Sequence, residues 1–222
     1  MKCGLLIETS TRVCSAGIYK NGDLVAKKII DTAAYVHAES LLPSIQEVIQ
    51  TAGVLTSDLD GVVIGEGPGS YTGLRIGTSL AKGICFGLNT PLYAVDSGIM
   101  FAVYAKKHFP AKTCFVSMSD AGRMEVYMAV YDGNLNCVSE HEPIILDEEF
   151  FRQDKFHDAV FVGDGVDKAK ELIGPSQNFE NIFPDVALIS GVLTSITLQP
   201  TDASGYTPKY VKEYIPGQPK QK

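Results

Sequence analysis

The chain has 222 residues, with 19 basic and 26 acidic side chains and a formal net charge of −7. Hydrophobic residues make up 45% of the chain and charged residues 20%. This composition provides enough apolar surface to bury a core, and it excludes wholesale disorder. The negative charge argues against a chain that binds nucleic acid by itself, because contacts to phosphates need a basic face.

Location is indicated by two further features. No segment approaches the ~18–20 apolar residues of a membrane span, and the first apolar run, Cys3 to Ile7, is too short for a signal peptide. The five cysteines are scattered and form no CxxC pair, which is typical of reduced core thiols. The sequence therefore predicts a cytoplasmic protein.

The first thirty residues are predicted to form three strands. The apolar runs Cys3–Glu8, Val13–Tyr19 and Leu24–Ile30 are separated by polar turns. The second turn is Asn21-Gly22, a pair that favours the tight turn of a β-hairpin because both central residues need a positive φ.

A helix follows, since Leu41, Leu42, Ile45 and Val48 lie on one face of a 3.6-residue period that continues to Ala52. Gly53 is suited to end it. Ser40 is predicted to be the N-cap, because Pro43 would then lie in the first turn and cost no intrahelical hydrogen bond.

A glycine-rich loop, Gly65–Gly73, connects a short buried strand at Val62–Ile64 to a second helix at Leu74–Leu88. Glycine inside a helix costs about 1 kcal/mol relative to alanine, so its presence needs a reason. Gly73, Gly77 and Ala81 repeat every four residues and line one face. This spacing predicts that another helix, from this chain or from a partner, approaches closely.

From Thr113 the opening pattern recurs, and Val13–Tyr19 aligns with Met124–Val130. The predicted strands are Thr113–Met118, Met124–Tyr131, Leu135–Ser139 and Ala159–Gly163, and the predicted helices lie near Asp147–Asp154, at Val166–Ile173 and at Asp185–Leu198. This order predicts a duplicated α/β fold with two βββαβα halves. The predicted subdomains are residues 1–100, completed by 205–222, and residues 101–204. The last residues, from Ile215, are predicted to fray.

Two loops have the composition of a phosphate site, and each has an alternative explanation. The glycine loop lacks the Lys of a Walker motif and the third glycine of a dinucleotide motif. Gly67 and Gly69 either help a helix N-terminus to bind an anion or simply form a tight turn. Thr9, Ser10 and Thr11 either face a phosphate or are ordinary polar turn residues.

No catalytic, cofactor or metal set is predicted. The four histidines have none of the spacings of a metal site and are expected at the surface or at caps. The chain lacks the GxSxG elbow of serine hydrolases. Arg123 and Glu125 lie two residues apart on a predicted strand, and they are expected to form a polar surface pair.

Several motifs together resemble the bacterial TsaB (YeaZ) family of tRNA threonylcarbamoyladenosine biosynthesis proteins. The GPGSYTGLRIG stretch is highly specific for it, and the others are supportive. The resemblance covers about residues 1–130, and Tyr206–Val211 is also similar to the family's closing segment. The segments that carry it are Ile7–Thr11, Glu39–Ile45, Gly65–Gly77, Ala81–Gly83 and Asp120–Tyr127.

The resemblance implies an actin/sugar-kinase/Hsp70-like ATPase fold and a non-catalytic role. Family members partner the paralogous enzyme TsaD and, with TsaE, form threonylcarbamoyladenosine beside the anticodon of tRNAs that read ANN codons. It implies contact with tRNA only through this complex. TsaD holds a metal with paired histidines, whereas the matching helix here offers only His37. The alternative is an independent nucleotide-binding ATPase or phosphotransferase of the same fold.

The resemblance also implies an interface, because family members pair through two N-terminal helices, as homodimers or with TsaD. The implied interface residues are Leu41, Leu42, Ile45, Val48, Gly73, Leu74, Ile76, Gly77, Leu80, Ala81 and Ile84. The chain departs from the family pattern at two places. Glu8 replaces the usual Asp, which argues against metal–nucleotide binding there, and an extra glycine precedes Arg123, which puts any shared role of that residue in question.

Overall fold

The structure is a computed structural model that describes residues 1–32, 36–151, 156, 158–173 and 178–212, with the backbone alone at 148, 149, 171 and 173. The predicted frayed end beyond Ile215 lies outside the described residues.

The strands of the first half, β1–β5, are Cys3–Glu8, Val13–Lys20, Asp23–Asp31, Gly61–Gly67 and Leu92–Asp96. They form a sheet with the order β5-β4-β1-β2-β3, to which the last strand of the chain adds beside β5. In this first half, β1, β2 and β3 form two antiparallel hairpins, and β1, β4 and β5 pair in parallel. Its helices α1–α3 are His37–Ala52, Tyr71–Leu88 and Ser97–His108, and a 3-10 turn spans Thr56–Asp58.

The strands of the second half, β6–β10, are Cys114–Asp120, Glu125–Asp132, Cys137–Ile145, Val160–Val162 and Asn178–Glu180. This half repeats the arrangement of the first in a sheet with the order β10-β9-β6-β7-β8. Its helices α4–α6 are Glu148–Phe151, Val166–Ile173 and Val186–Ser195. The last strand, β11 at Pro200–Thr201, returns to the first sheet beside β5. The matching strand orders confirm the predicted duplicated α/β fold.

Each half is longer than the predicted βββαβα unit, because the sequence prediction missed β5, α3, β10 and β11. β10 and β11 have only three and two residues, too few to show a period. α3 was missed because it is apolar on two sides. Its Met100 and Val103 pack on the first sheet, whereas Phe101 and Ala105 pack on the second.

The start of α1 was also predicted wrongly. The helix begins at His37, so Ser40 is not its N-cap and Pro43 lies inside it. Tertiary packing explains the extension, because His37 is buried with its imidazole beside the backbone of Thr11 and Val13. The predicted end is confirmed, since Gly53 adopts the left-handed conformation with φ 62°.

The elements form five layers. α1 and α2 cover one face of the first sheet, α3 and α6 lie against its other face, and α4 and α5 cover the outer face of the second sheet. β1 is fully buried because its residues alternate between layers: Leu5 and Ile7 face α1 and α2, and Leu6 faces α3 and α6.

Candidate functional site

A cleft of about 490 Å³ lies where the turns of the two halves meet. The β1–β2 turn and the β6–β7 turn occupy equivalent places in the duplicated fold, so both are directed to it. The cleft is lined by Ser10, Thr11, Arg12, Gly69, Ser70, Asp120, Ala121, Gly122, Tyr127, Asp164 and Phe183. The structure thus brings the predicted Thr9–Thr11 turn and the predicted Gly67–Gly69 loop to one place.

Glu8, at the end of β1, is completely buried below this turn. Its Oε1 accepts a hydrogen bond of 2.5 Å from the Ser10 backbone N–H. Gly65 covers the other side, where a Cβ would overlap Glu8 Oε2. Burial raises the pKa of Glu8, and the hydrogen bonds from Ser10 and Thr9 oppose this increase. The carboxyl group is therefore enclosed by its own chain.

The glycine loop and the start of α2 pack on the β1–β2 turn. The Ser70 N–H donates to Ser10 O at 2.5 Å, and a Cβ at Gly69 would overlap the same oxygen. A Cβ at Gly73 would overlap Thr9 O, and one at Gly77 would overlap Thr9 Oγ1. The prediction that Gly73 and Gly77 face another helix is therefore wrong, because both glycines pack against the β1–β2 turn.

Several backbone donors near the turn already have partners. The Val13 N–H donates to Thr11 Oγ1 at 3.1 Å, and the Gly73 N–H donates to Ser70 Oγ at 3.2 Å. The side chains of Thr9, Ser10 and Thr11 are buried. For both the Thr9–Thr11 turn and the glycine loop, these contacts favour tight packing over anion binding.

The second half contributes carboxylates to the cleft. The Asp120 N–H donates to Asp164 Oδ1 at 3.3 Å, and Lys168 Nζ pairs with Asp120 Oδ1. Burial raises the pKa of Asp164 to about 7. Across the cleft, the Arg12 guanidinium lies 4.3 Å from the centre of the Phe183 ring and pairs with Asp31 at 2.9 Å.

Arg123 and Glu125 do not form the predicted pair on one strand. Arg123 lies in the β6–β7 turn with a φ of 48°, and β7 begins only at Glu125. Glu125 instead pairs with Lys212.

A polar cluster centred on Asp96 was missed. Asp96 ends β5 and caps α3, accepting from the Gly98 N–H at 2.7 Å. Its Oδ1 also accepts from Tyr131 Oη at 3.1 Å and lies 2.8 Å from His141 Nε2, and its Oδ2 accepts from Lys209 Nζ at 3.0 Å. These residues, which we call the Asp96 cluster, join the two sheets.

Two partners of Asp96 in this cluster favour its ionised form. Burial alone would raise the pKa of Asp96, but His141 and Lys209 lower it to about 2. The capping sequence Asp96-Ser97-Gly98 was the signal that could have revealed α3 and this aspartate. The expectation of surface or capping histidines was wrong for His37 and His141, which are buried.

The implied interface residues divide into two groups. Seven are buried inside this chain, where they pack against its own residues. These seven are Leu41, Ile45, Val48, Gly73, Leu74, Gly77 and Ala81.

The remaining implied residues form an apolar outer surface on α1 and α2. Leu42 is 48% exposed, and Ile76, Leu80 and Ile84 are partly buried. Phe86, which the sequence analysis did not select, is 92% exposed, but it lies on another side of α2, beside Lys82 and Ser204. We call Leu42, Ile76, Leu80 and Ile84 the helix-pair surface.

Within the described residues, no three His, Cys, Asp or Glu side chains are grouped so that they could hold a metal ion. None of the described helices is both long and apolar enough to span a membrane. Cys3, Cys14 and Cys85 are buried free thiols, as predicted, but Cys137 is exposed.

Known proteins resemble the chain in both sequence and structure. It is 32% identical to TsaB of Escherichia coli over 134 residues, which are 60% of this chain and 57% of that protein. It is 28% identical to TsaB of Bacillus subtilis over 173 residues, or 76% and 74% of the two chains. Both relatives are described as tRNA threonylcarbamoyladenosine biosynthesis proteins. The chain thus spans little more than half of the Escherichia coli relative.

The solved structure of YeaZ from Pseudomonas aeruginosa has the same fold, with a TM-score of 0.77 at 23% identity over 95% of this chain and 100% of that one. A family model described as TsaD: tRNA N6-adenosine threonylcarbamoyltransferase matches residues 31–188, more than half of the chain. The chain therefore belongs to this family, and within it the similarity is to the TsaB, or YeaZ, proteins.

Proposed function

We propose that the chain is a non-catalytic subunit in the formation of threonylcarbamoyladenosine on tRNA. In this role it docks onto a TsaD-type paralogue and acts together with a TsaE-type ATPase, and it meets tRNA only within the complex. The isolated chain pairs with itself. The names of the relatives support the pathway.

The observation that carries the proposal is the helix-pair surface. Most core-facing residues of α1 and α2 are buried within the chain, yet Leu42 is 48% exposed, and Ile76, Leu80 and Ile84 are only partly buried. Exposed apolar residues that adjoin partly buried ones are typical of protein–protein contacts. The four residues lie on the outer layer of the fold, away from the cleft, so a partner can reach them without entering the chain.

The cleft supports the non-catalytic part of the proposal. The β1–β2 turn, which faces phosphate in a nucleotide-binding member of this fold, is here packed against Gly69, Gly73 and Gly77. Glu8 is enclosed beneath it, and its pKa is raised by burial. A buried carboxyl group that resists ionisation is poorly suited to hold a metal–nucleotide complex.

The test is assembly with a TsaD-type protein, measured by gel filtration and pull-down. Leu42→Arg places a charge on the helix-pair surface and should abolish the heterodimer. Val138→Arg on β8 is the matched control, because Val138 is an equally apolar and 67% exposed side chain on another element. Full assembly of the Leu42→Arg variant would overturn the docking proposal.

The pathway is tested separately in the host. When the protein is depleted, threonylcarbamoyladenosine in bulk tRNA should fall, as measured by mass spectrometry. Re-expression of the Val138→Arg variant should restore it, and the Leu42→Arg variant should not. An undiminished level after depletion would overturn the assigned pathway.

A nucleotide-dependent ATPase or phosphotransferase is the second candidate, favoured by the cleft between Ser10 and Thr11 on one side and Asp120 and Gly122 on the other. Calorimetry with Mg·ATP on the isolated chain separates the two. The first proposal predicts no turnover, whereas tight binding with turnover would favour the second.

A further inference from the structure

Residues 204–212 run from α2 to the second sheet, and we call them the strap. At the α2 end, Lys82 Nζ donates to Ser204 O at 2.9 Å and to Tyr206 O at 3.1 Å. Further along, Arg75 Nε donates to Tyr210 Oη at 3.4 Å. Lys82 and Arg75 lie seven residues apart, so one flank of α2 holds the strap at two points.

The other contacts of the strap lead to the ends of strands. The Lys209 N–H donates to Glu66 O at 2.9 Å, at the end of β4. The Lys209 side chain donates to Asp96 Oδ2 at 3.0 Å and to Glu140 Oε2 of β8 at 3.2 Å. Lys212 pairs with Glu125 at the start of β7. The strap therefore reaches both strands at the outer edge of the second sheet.

The Lys209 contact links the strap to a shielded carboxylate that both strands share. Asp96 is mostly buried and ionised, and charge-assisted hydrogen bonds to a desolvated carboxylate are roughly twice as strong as neutral ones. Asp96 also binds Tyr131 of β7 and His141 of β8. A shift of Lys209 therefore acts on two strands of the second sheet through one carboxylate.

We propose that the strap couples the α2 helix to the β7–β8 edge of the second sheet, so that a change on α2 alters the stability of that edge. This goes beyond the proposed function and does not depend on it. α2 itself packs on β1, β4 and β5 of the first sheet. A molecule that docks on the outer face of α2 would act on the second sheet through the strap.

Amide hydrogen exchange on the full chain tests the coupling. Lys82→Met frees the Ser204 and Tyr206 carbonyls at a site remote from β8. We expect exchange across Cys137–Ile145 to rise by about threefold or more, since local opening controls these rates. Lys106→Met, on α3 and outside the strap contacts described above, is the control and should leave these rates unchanged.

A combined variant separates coupling from general loosening. Lys209→Met together with Lys212→Met detaches the strap side chains from Asp96 and Glu125, so adding Lys82→Met should not raise exchange in β8 any further. A further rise on adding Lys82→Met, or a Lys82→Met effect confined to residues 203–206, would overturn the proposal. If Lys82→Met does not fold, Arg75→Gln releases the other α2 contact. The same exchange measurement on β8 then applies to Arg75→Gln, and the same two results would overturn the proposal.

Discussion

Gly77 of α2 lies directly against Thr9 of the β1–β2 turn, where a Cβ would overlap the Thr9 hydroxyl group. Thr9 is completely buried. This contact fixes α2 to the end of β1, and it gives the small residues on this face of the helix a role inside the chain. These buried small residues are therefore distinct from the proposed helix-pair surface.

Replacing Gly77 with alanine should therefore lower the free energy of unfolding by ~1–3 kcal/mol, the usual cost of overpacking a core. Gly83→Ala is the matched control in the same helix, because a Cβ there meets nothing within 4 Å. It should stabilise the protein by up to about 1 kcal/mol through helix propensity. Urea denaturation of the two variants measures the difference.

Thr9→Ala in the Gly77→Ala background provides a second check. Removing the hydroxyl group should recover part of the lost stability, because the overlap at Gly77 is with Thr9 Oγ1. Equal stability of the Gly77→Ala and Gly83→Ala proteins would contradict the packing relationship.

The Asp96 cluster should make the protein sensitive to acid. Although burial opposes it, the pKa of Asp96 is lowered to about 2 by His141 and Lys209, compared with 3.8 for a free aspartate. A depressed pKa stabilises the fold above about pH 4, and this contribution is lost as the pH falls towards 2. It amounts to about 2 kcal/mol.

Asp96→Asn should remove this contribution. The variant should be less stable than the wild type at pH 6, and the difference should shrink towards pH 2.5 when urea denaturation is compared at the two values. Asp23→Asn, at the exposed start of β3, should behave as the wild type does. A constant difference between Asp96→Asn and the wild type across this range would contradict the assigned role of the charge.

Asp164 should have the opposite pH dependence. Burial raises its pKa to about 7, so the ionised form is disfavoured in the folded protein. The fold should lose stability as the pH rises from about 4 to about 7. Asp164→Asn should be more stable than the wild type at pH 8 by at least about 1 kcal/mol and equal to it at pH 4. Thermal unfolding at both values would show this, and a gain of the same size at pH 4 would refute it.

The sequence predicted the elements that have a clear period or a clear turn. Asn21-Gly22 predicted the first hairpin, and the spacing of Leu41, Ile45 and Val48 predicted α1. The repeat between the halves predicted the duplicated fold, because equivalent strands recur in the same order in both sheets.

The rest depended on contacts between distant parts of the chain. α3 has no single apolar face because both sheets cover it, so its periodicity is weak. Asp96, His141 and Lys209 are far apart in sequence, and neither spacing nor composition brings them together. The role of Gly77 was misjudged because the sequence shows that close packing is required but not which group packs there.

The neighbours Leu41 and Leu42 allow the core and surface roles of α1 to be separated. Leu41 is 1% exposed and Leu42 is 48% exposed, although the resemblance assigned both to an interface. Leu41→Ala leaves a cavity in the core and should cost ~2–5 kcal/mol of stability. Leu42→Ala should change stability by no more than about 0.5 kcal/mol, as is usual for surface positions, while weakening assembly with a TsaD-type protein. Urea denaturation and gel filtration of both variants test the pair. If Leu42→Ala destabilised the isolated chain as much as Leu41→Ala, Leu42 would belong to the core and the helix-pair surface would have to be drawn without it.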